Sequence, residues 1–212
     1  MPPLIYLHGF ASGPRSSKAQ FFRERLAGFG IPLEIPDLSQ GDFEHLTITG
    51  QLEAVGQAAQ GRPVTLIGSS MGGYLAALYA ARHPEVTGLI LLAPAFAFSA
   101  RWPHVLGEEK AQEWERTGVL QVYHFGDGCE RRLSYQLCVD GRRYEDYPDV
   151  TQPVLILHGR QDSVVPLEHS VRFARARENV SLKPLDSDHQ LLNVLPEIWE
   201  ESWKFLCIEA AA

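Results

Sequence analysis

The stretch VTLIGSSMGGYLAAL, residues 64–78, decides how the rest of the chain is read. Val64 to Ile67 form an apolar run typical of a buried strand, and YLAALYAA after Gly73 is rich in strong helix formers. Between them, Gly68-Ser69-Ser70-Met71-Gly72 fits the pattern G-x-S-x-G. A strand that turns sharply into a helix brings backbone close to backbone, and glycine at 68 and 72 removes the Cβ atoms that would clash there. Ser70 then stands at the tip, its hydroxyl lifted out of the sheet, with the first amides of the helix aimed at whatever it attacks. A plain strand–turn–helix would use the same glycines for packing alone. A dinucleotide-binding turn would need glycine where Ser70 stands. The flanking strand and helix favour a reactive serine.

Outward from this turn, short apolar runs alternate with helical patterns. LIYLHG (Leu4 to Gly9), PLEIPD, VTLIGS, GLILLAPA (Gly88 to Ala95), PVLILHG (Pro153 to Gly159) and VSLKPL read as strands. Pro36 marks an end or an exposed edge of the second. Helices are expected over Lys18 to Leu26, Leu46 to Ala59, Ser70 to Arg82, Leu167 to Ala176 and Leu192 to Cys207, the first capped by Ser16 or Ser17. Strands apolar throughout that alternate with helices mean an α/β fold with a mostly parallel sheet covered on both faces. Residues 96–147 break the alternation. They are too few for a second core and read as a lid inserted into one domain spanning 1–212, with a short strand at VLQVYHF and a short helix over 133–143.

A serine hydroxyl is a weak nucleophile and needs a base, which needs an orienting group. Asp162 lies in HGRQDSVVP after the fifth strand, and His189 lies in DSDHQLL after the sixth. Both loops leave the strand ends where ligand-handling groups of such sheets gather. The chain order Ser70, Asp162, His189 is that of one class of triad hydrolases and of neither the chymotrypsin nor the subtilisin arrangement. His8 and His158 each end a strand before glycine and are candidates to line the site. Asp186 and Asp188 flank His189 as rival orienters or loop caps. Oxyanion donors are expected from the backbone amides of Met71, after the nucleophile, and Phe10, after the first strand. PRSSK (Pro14 to Lys18) reads as capping plus a solvated charge pair, with anion binding at the helix start as the alternative.

Composition bounds the partners. The 212 residues carry a formal net charge of -7, which argues against nucleic acid because phosphate binding needs a basic face. Three cysteines without a CxxC pair indicate neither a disulfide framework nor a zinc site. No apolar run approaches the roughly 18 residues of a membrane span. PPLIYLHGF has no basic n-region or cleavage site, so the cytoplasm is the expected location. The chemistry requires no metal or cofactor.

The segments LIYLHGFASGPRSSKAQFF, LIGSSMGGYLAAL, PVLILHGRQDSVVP and SDHQLL, in that order, resemble the α/β-hydrolase superfamily, and most of all its small serine esterases and acyl-protein thioesterases, including the mitochondrial depalmitoylase branch. The resemblance implies a three-layer fold that lacks the two leading antiparallel strands. It implies Ser70, Asp162 and His189 as a triad, with the Phe10 and Met71 amides as the oxyanion hole. It implies cleavage of carboxylic esters, with acyl thioesters or acylated proteins as the alternative substrates. Phe96, Phe98, Trp102, Trp114, Tyr123 and Phe125 allow two readings: an apolar acyl pocket facing Ser70, or the insertion's own small core.

Overall fold

The computed structural model describes residues 1–175 and 177–209. In chain order the elements are β1 (Leu4–Leu7), α1 (Ser17–Ala27), β2 (Leu33–Glu34), α2 (Ile48–Ala59), β3 (Val64–Ser69), α3 (Met71–Ala80), β4 (Val86–Leu92), α4 (Trp102–Leu106), α5 (Glu108–Thr117), β5 (Val119–His124), β6 (Cys129–Ser134), α6 (Gln136–Gly141), β7 (Val154–Gly159), α7 (Glu168–Ala174), β8 (Val180–Leu185) and α8 (Leu195–Glu209). Single 3₁₀ turns occupy Ser99–Arg101 and Leu192–Val194. The expected end of α7 at Ala176 lies outside the described residues.

Six strands form one sheet in the order β2-β1-β3-β4-β7-β8, every neighbouring pair parallel. Alternation along each strand sends side chains to opposite faces. Leu4, Tyr6, Ile67, Ile90 and Leu157 pack on one face with Phe22 and Leu26 of α1 and with Ile198 and Leu206 of α8. Ile5, Leu7, Leu66, Leu89, Leu91 and Ile156 pack on the other with α2, α3 and Phe173 of α7. This is the three-layer α/β-hydrolase arrangement. The chain leaves β1 toward β2 on one side and returns to β3 on the other. Sheets of this kind bind ligands at the carboxyl ends of the strands where the order reverses, here β1 and β3. β2, with Pro36 just beyond it, is the short edge.

Several local expectations are corrected. Ser16 occupies the N-cap of α1 but makes no side-chain capping bond. Thr47 caps α2 instead of Leu46 beginning it, its hydroxyl accepting from the Gly50 amide at 3.0 Å. The insertion is more regular than its sequence suggests. β5 pairs antiparallel with β6, a strand whose exposed Cys129, Glu130 and Arg132 hide its periodicity. α5 was obscured by its charged face, since Trp114 is its single buried residue. The helix expected over 133–143 starts only at Gln136, because Leu133 and Ser134 belong to β6. Among the described residues no helix is long and apolar enough to cross a membrane.

Trp114 anchors the insertion. It is 1% exposed, donates its indole N–H to Leu133 O at 3.1 Å, and meets Trp102 and Tyr135 edge-on at 5.0 and 5.4 Å. Trp114→Ala removes this packing and leaves a cavity, with an expected cost of about 3–5 kcal/mol. Urea unfolding followed by circular dichroism measures it.

Candidate active site

Ser70 has φ 53° and ψ -117°, a conformation a non-glycine residue holds only when its surroundings over-determine it. The surroundings are the end of β4 and the start of α3. The Ser70 amide donates to Leu92 O at 2.8 Å, and its carbonyl accepts from Ala95 N at 2.9 Å and Gly73 N at 2.9 Å. The glycines permit this closeness. A Cβ at Gly68 would lie 2.4 Å from Gly72 O, and one at Gly72 would lie 2.1 Å from Leu7 O. Both contacts are to backbone, so any side chain there would drive α3 away from β1 and β3.

The loops after β7 and β8 bring Asp162 and His189 to the same edge. His189 Nε2 stands 3.0 Å from Ser70 Oγ, and its Nδ1 stands 2.7 Å from Asp162 Oδ2. A carboxylate only accepts, so Nδ1 carries the proton and Nε2 is left as the acceptor facing the serine. Four nitrogens surround the Asp162 carboxylate. Oδ1 takes the amides of Val164 and Val165 at 2.9 and 2.7 Å, and Oδ2 takes His189 and, at 3.1 Å, His158 Nε2. Burial works to raise the Asp162 pKa. The hydrogen bonds from His158 and His189, the His189 charge and the Val165 amide outweigh it, so the carboxyl sits well below its ordinary value.

Phe10 follows β1 and Met71 opens α3, on neighbouring strand ends. Among the described residues neither amide has a protein acceptor. A missing acceptor is expected of Met71, since the first amides of a helix have none within it. Phe10 also belongs to an aromatic group with Phe43, Phe98 and Trp102, at centroid distances of 5.8, 6.3 and 5.6 Å. The next residue, Ala11, has φ 50° and accepts from the Phe125 amide at 2.8 Å, so the tip of the β5–β6 hairpin is bonded to this loop.

The remaining candidates divide. His158 is fully buried: its Nε2 faces Val165 O at 2.8 Å as well as Asp162, and its Nδ1 accepts from Ser170 Oγ at 2.8 Å. It therefore supports the carboxylate from behind. The sequence signal for it was the His-Gly strand end, shared with His8. His8 is buried too, and its pKa is lowered chiefly by that burial. It accepts from the Leu38 amide and stays within the packing. Asp188 Oδ1 accepts from the Gln190 and Leu191 amides as a loop cap, and Asp186 accepts from Gln161. Lys18 is not the solvated partner of Arg15 that the PRSSK reading gives: its ammonium donates to Gln190 O at 2.7 Å.

The six aromatic residues of the insertion also divide. Phe98 and Trp102 pack toward Phe10, Trp114 packs on Trp102 and Tyr135 within the core the insertion shares with α2 and α3, and Phe96 stacks on Phe173 at 4.1 Å. Tyr123 and Phe125 are exposed and pair with each other. Two cavities of about 650 and 630 Å³ border the insertion, and neither is lined by Ser70, Asp162 or His189.

Sheet order, the serine turn and the chain order of the three side chains make this an α/β-hydrolase. Within that superfamily the chain belongs to the uncharacterised protein family UPF0227, which it matches over residues 3–206. It is 25% identical to the AB hydrolase superfamily protein YisY of Bacillus subtilis, over 86% of this chain and 82% of YisY. It is 28% identical to the mitochondrial palmitoyl-protein thioesterase ABHD10 of Mus musculus, over 82% of this chain but only 63% of ABHD10. Its fold superposes on Est1E from Butyrivibrio proteoclasticus, solved with ferulic acid bound, with a TM-score of 0.77 and 26% identity over 100% of this chain and 90% of that one.

The depressed Asp162 pKa links protonation to folding. A carboxyl whose folded pKa lies below its unfolded value adds stability that is present above about pH 4 and lost as the pH falls further. Asp162→Asn is therefore expected to be less stable than the parent at pH 7. The gap should narrow steadily below pH 4 in urea midpoints measured across that range.

Proposed function

We propose that the protein is a serine hydrolase that cleaves carboxylic ester bonds through an acyl-enzyme intermediate. One observation carries this: Ser70, on its strained turn, is joined through His189 to a carboxylate by contacts of 3.0 and 2.7 Å. In the first step His189 Nε2 takes the Ser70 proton as Oγ attacks the acyl carbon. The Phe10 and Met71 amides receive the negative charge that develops on the carbonyl oxygen. His189 then protonates the leaving group, and the acyl group remains on Ser70. Water repeats the sequence, giving up its proton to His189 and releasing the acid. Asp162 holds the imidazole in the Nδ1–H tautomer and stabilises its charged form. Only neutral imidazole accepts the proton, so the rate rises with pH on the acid side, and a flat profile from about pH 5 to 9 counts against His189 as the base.

The same triad serves a thioester, whose leaving group departs more easily. The relation to ABHD10 favours acyl thioesters or acylated proteins as the second reading. Phe98 and Trp102, packed about Phe10, supply the apolar surface an acyl chain would meet. The insertion over 96–147 acts in this reading as a lid over the site.

A fluorophosphonate probe followed by intact mass tests the nucleophile without needing the right acyl group. One adduct on the parent and none on Ser70→Ala is the expected result, together with a loss of ester hydrolysis of about 10⁴-fold or more in the variant. No adduct on folded parent would end the serine-hydrolase reading. A series of esters and thioesters of increasing chain length then ranks the two substrate classes.

A further inference from the structure

Lys18 belongs to a motif that the mechanism leaves unused. It lies in the first turn of α1, where the helix dipole disfavours a cation, and it is half-buried. Its ammonium crosses to the carbonyl of Gln190, 172 positions away along the chain and next to His189. The other backbone and side-chain anchors of this loop to the body lie before His189, where Gln161 N donates to Ser187 O at 3.0 Å and Gln161 Nε2 donates to Asp186, so Lys18 holds the side that follows the imidazole. Asp188 caps the loop from within, and the chain reverses at Leu191 with φ 60°. α1 is the helix that follows the Phe10 loop, so this contact joins the segment after one proposed oxyanion donor to the segment carrying the proposed base.

We propose that Lys18 is a positioning residue: by holding Gln190 it fixes the His189 loop against the Phe10 loop and keeps the imidazole within reach of Ser70. The inference rests on the triad reading above. The charges acting on the ammonium are Asp188, from the His189 loop, and Asp162, from the loop after β7. Asp186 and His189 complete the titratable groups of the β8 loop. Burial pulls the Lys18 pKa down to about 8, against the opposing effect of the two aspartates. Below that pH the contact is a charge-assisted hydrogen bond. Above it the amine is neutral and the bond weakens. The rate is therefore expected to fall along an alkaline limb near pH 8 that belongs to Lys18.

The experiment measures the rate of Ser70 labelling by the fluorophosphonate probe from pH 6 to 10 in the parent, Lys18→Met and Lys18→Arg. It is paired with the proton NMR signal of the His189 Nδ1–H shared with Asp162. Lys18→Met is expected to label roughly tenfold more slowly at pH 7, since small displacements of a base are costly, to lack the alkaline limb, and to broaden the NMR signal. Lys18→Arg is expected to recover the rate to within about threefold and to lose the limb near pH 8, because guanidinium stays charged. Parental rate and pH profile in Lys18→Met would overturn the proposal. If Lys18→Met does not fold, an alkaline limb still at pH 8 in Lys18→Arg overturns it. If the parent is not labelled at all, the triad reading fails, and an unchanged His189 signal in Lys18→Met separately overturns the role of Lys18.

Discussion

The rest of the site depends on one steric constraint: the start of α3 presses directly on the ends of β1 and β3. At Gly72 the helix backbone meets Leu7, and at Gly68 the strand backbone meets Gly72, with no space for a side chain at either point. Hydrogen bonds from the end of β4 then leave Ser70 only its strained conformation. The energy stored there is of the order of 1–3 kcal/mol, small beside the burial of the strands on either side. Once α3 is seated, the Met71 amide and the Ser70 hydroxyl are fixed relative to β1, and so to Phe10.

The loop carrying His189 is held by a similar device. A Cβ at Gly159 would lie 2.3 Å from Ser187 O and 2.4 Å from Asp188 O, so the end of β7 and the β8 loop are packed backbone to backbone. Asp162 gains from the same compactness. Its carboxylate is surrounded by two amides and two imidazoles, and each keeps it ionised in a buried place where an unpartnered charge would be costly. His158 is in turn held by Ser170 of α7. The order of the site thus runs from helix to histidine to carboxylate to imidazole to serine, each link a polar contact of 3.1 Å or shorter.

The parts of this fold that are regular were legible from periodicity. Apolar runs such as LIYL and VLIL, each followed by His-Gly and alternating with helical patterns, read as buried strands of a parallel sheet, and the glycines flanking Ser70 announced the close approach. The loops bearing Asp162 and His189 followed from strand order alone. The insertion was not legible. α5 presents one buried residue in ten, so it lacks an apolar stripe, and β6 alternates charge with charge along an exposed ribbon. The contact of Lys18 with Gln190 is illegible in the sequence because nothing local distinguishes a lysine that reaches across the fold from one that points into water. The role of His158 was likewise hidden, since its partners Asp162 and Ser170 come from other elements.

The bond from Phe125 N to Ala11 O ties the hairpin tip to the residue after Phe10. Ala11 holds a positive φ, and this bond is one of its restraints. Any motion that swings the hairpin outward breaks it and frees the backbone beside a proposed oxyanion donor. If the insertion is the lid proposed above, the hairpin would latch as well as cover, and opening it would loosen the Phe10 loop. A chain with the insertion trimmed would lose the latch along with the cover, so a more open site would come with a looser Phe10 loop.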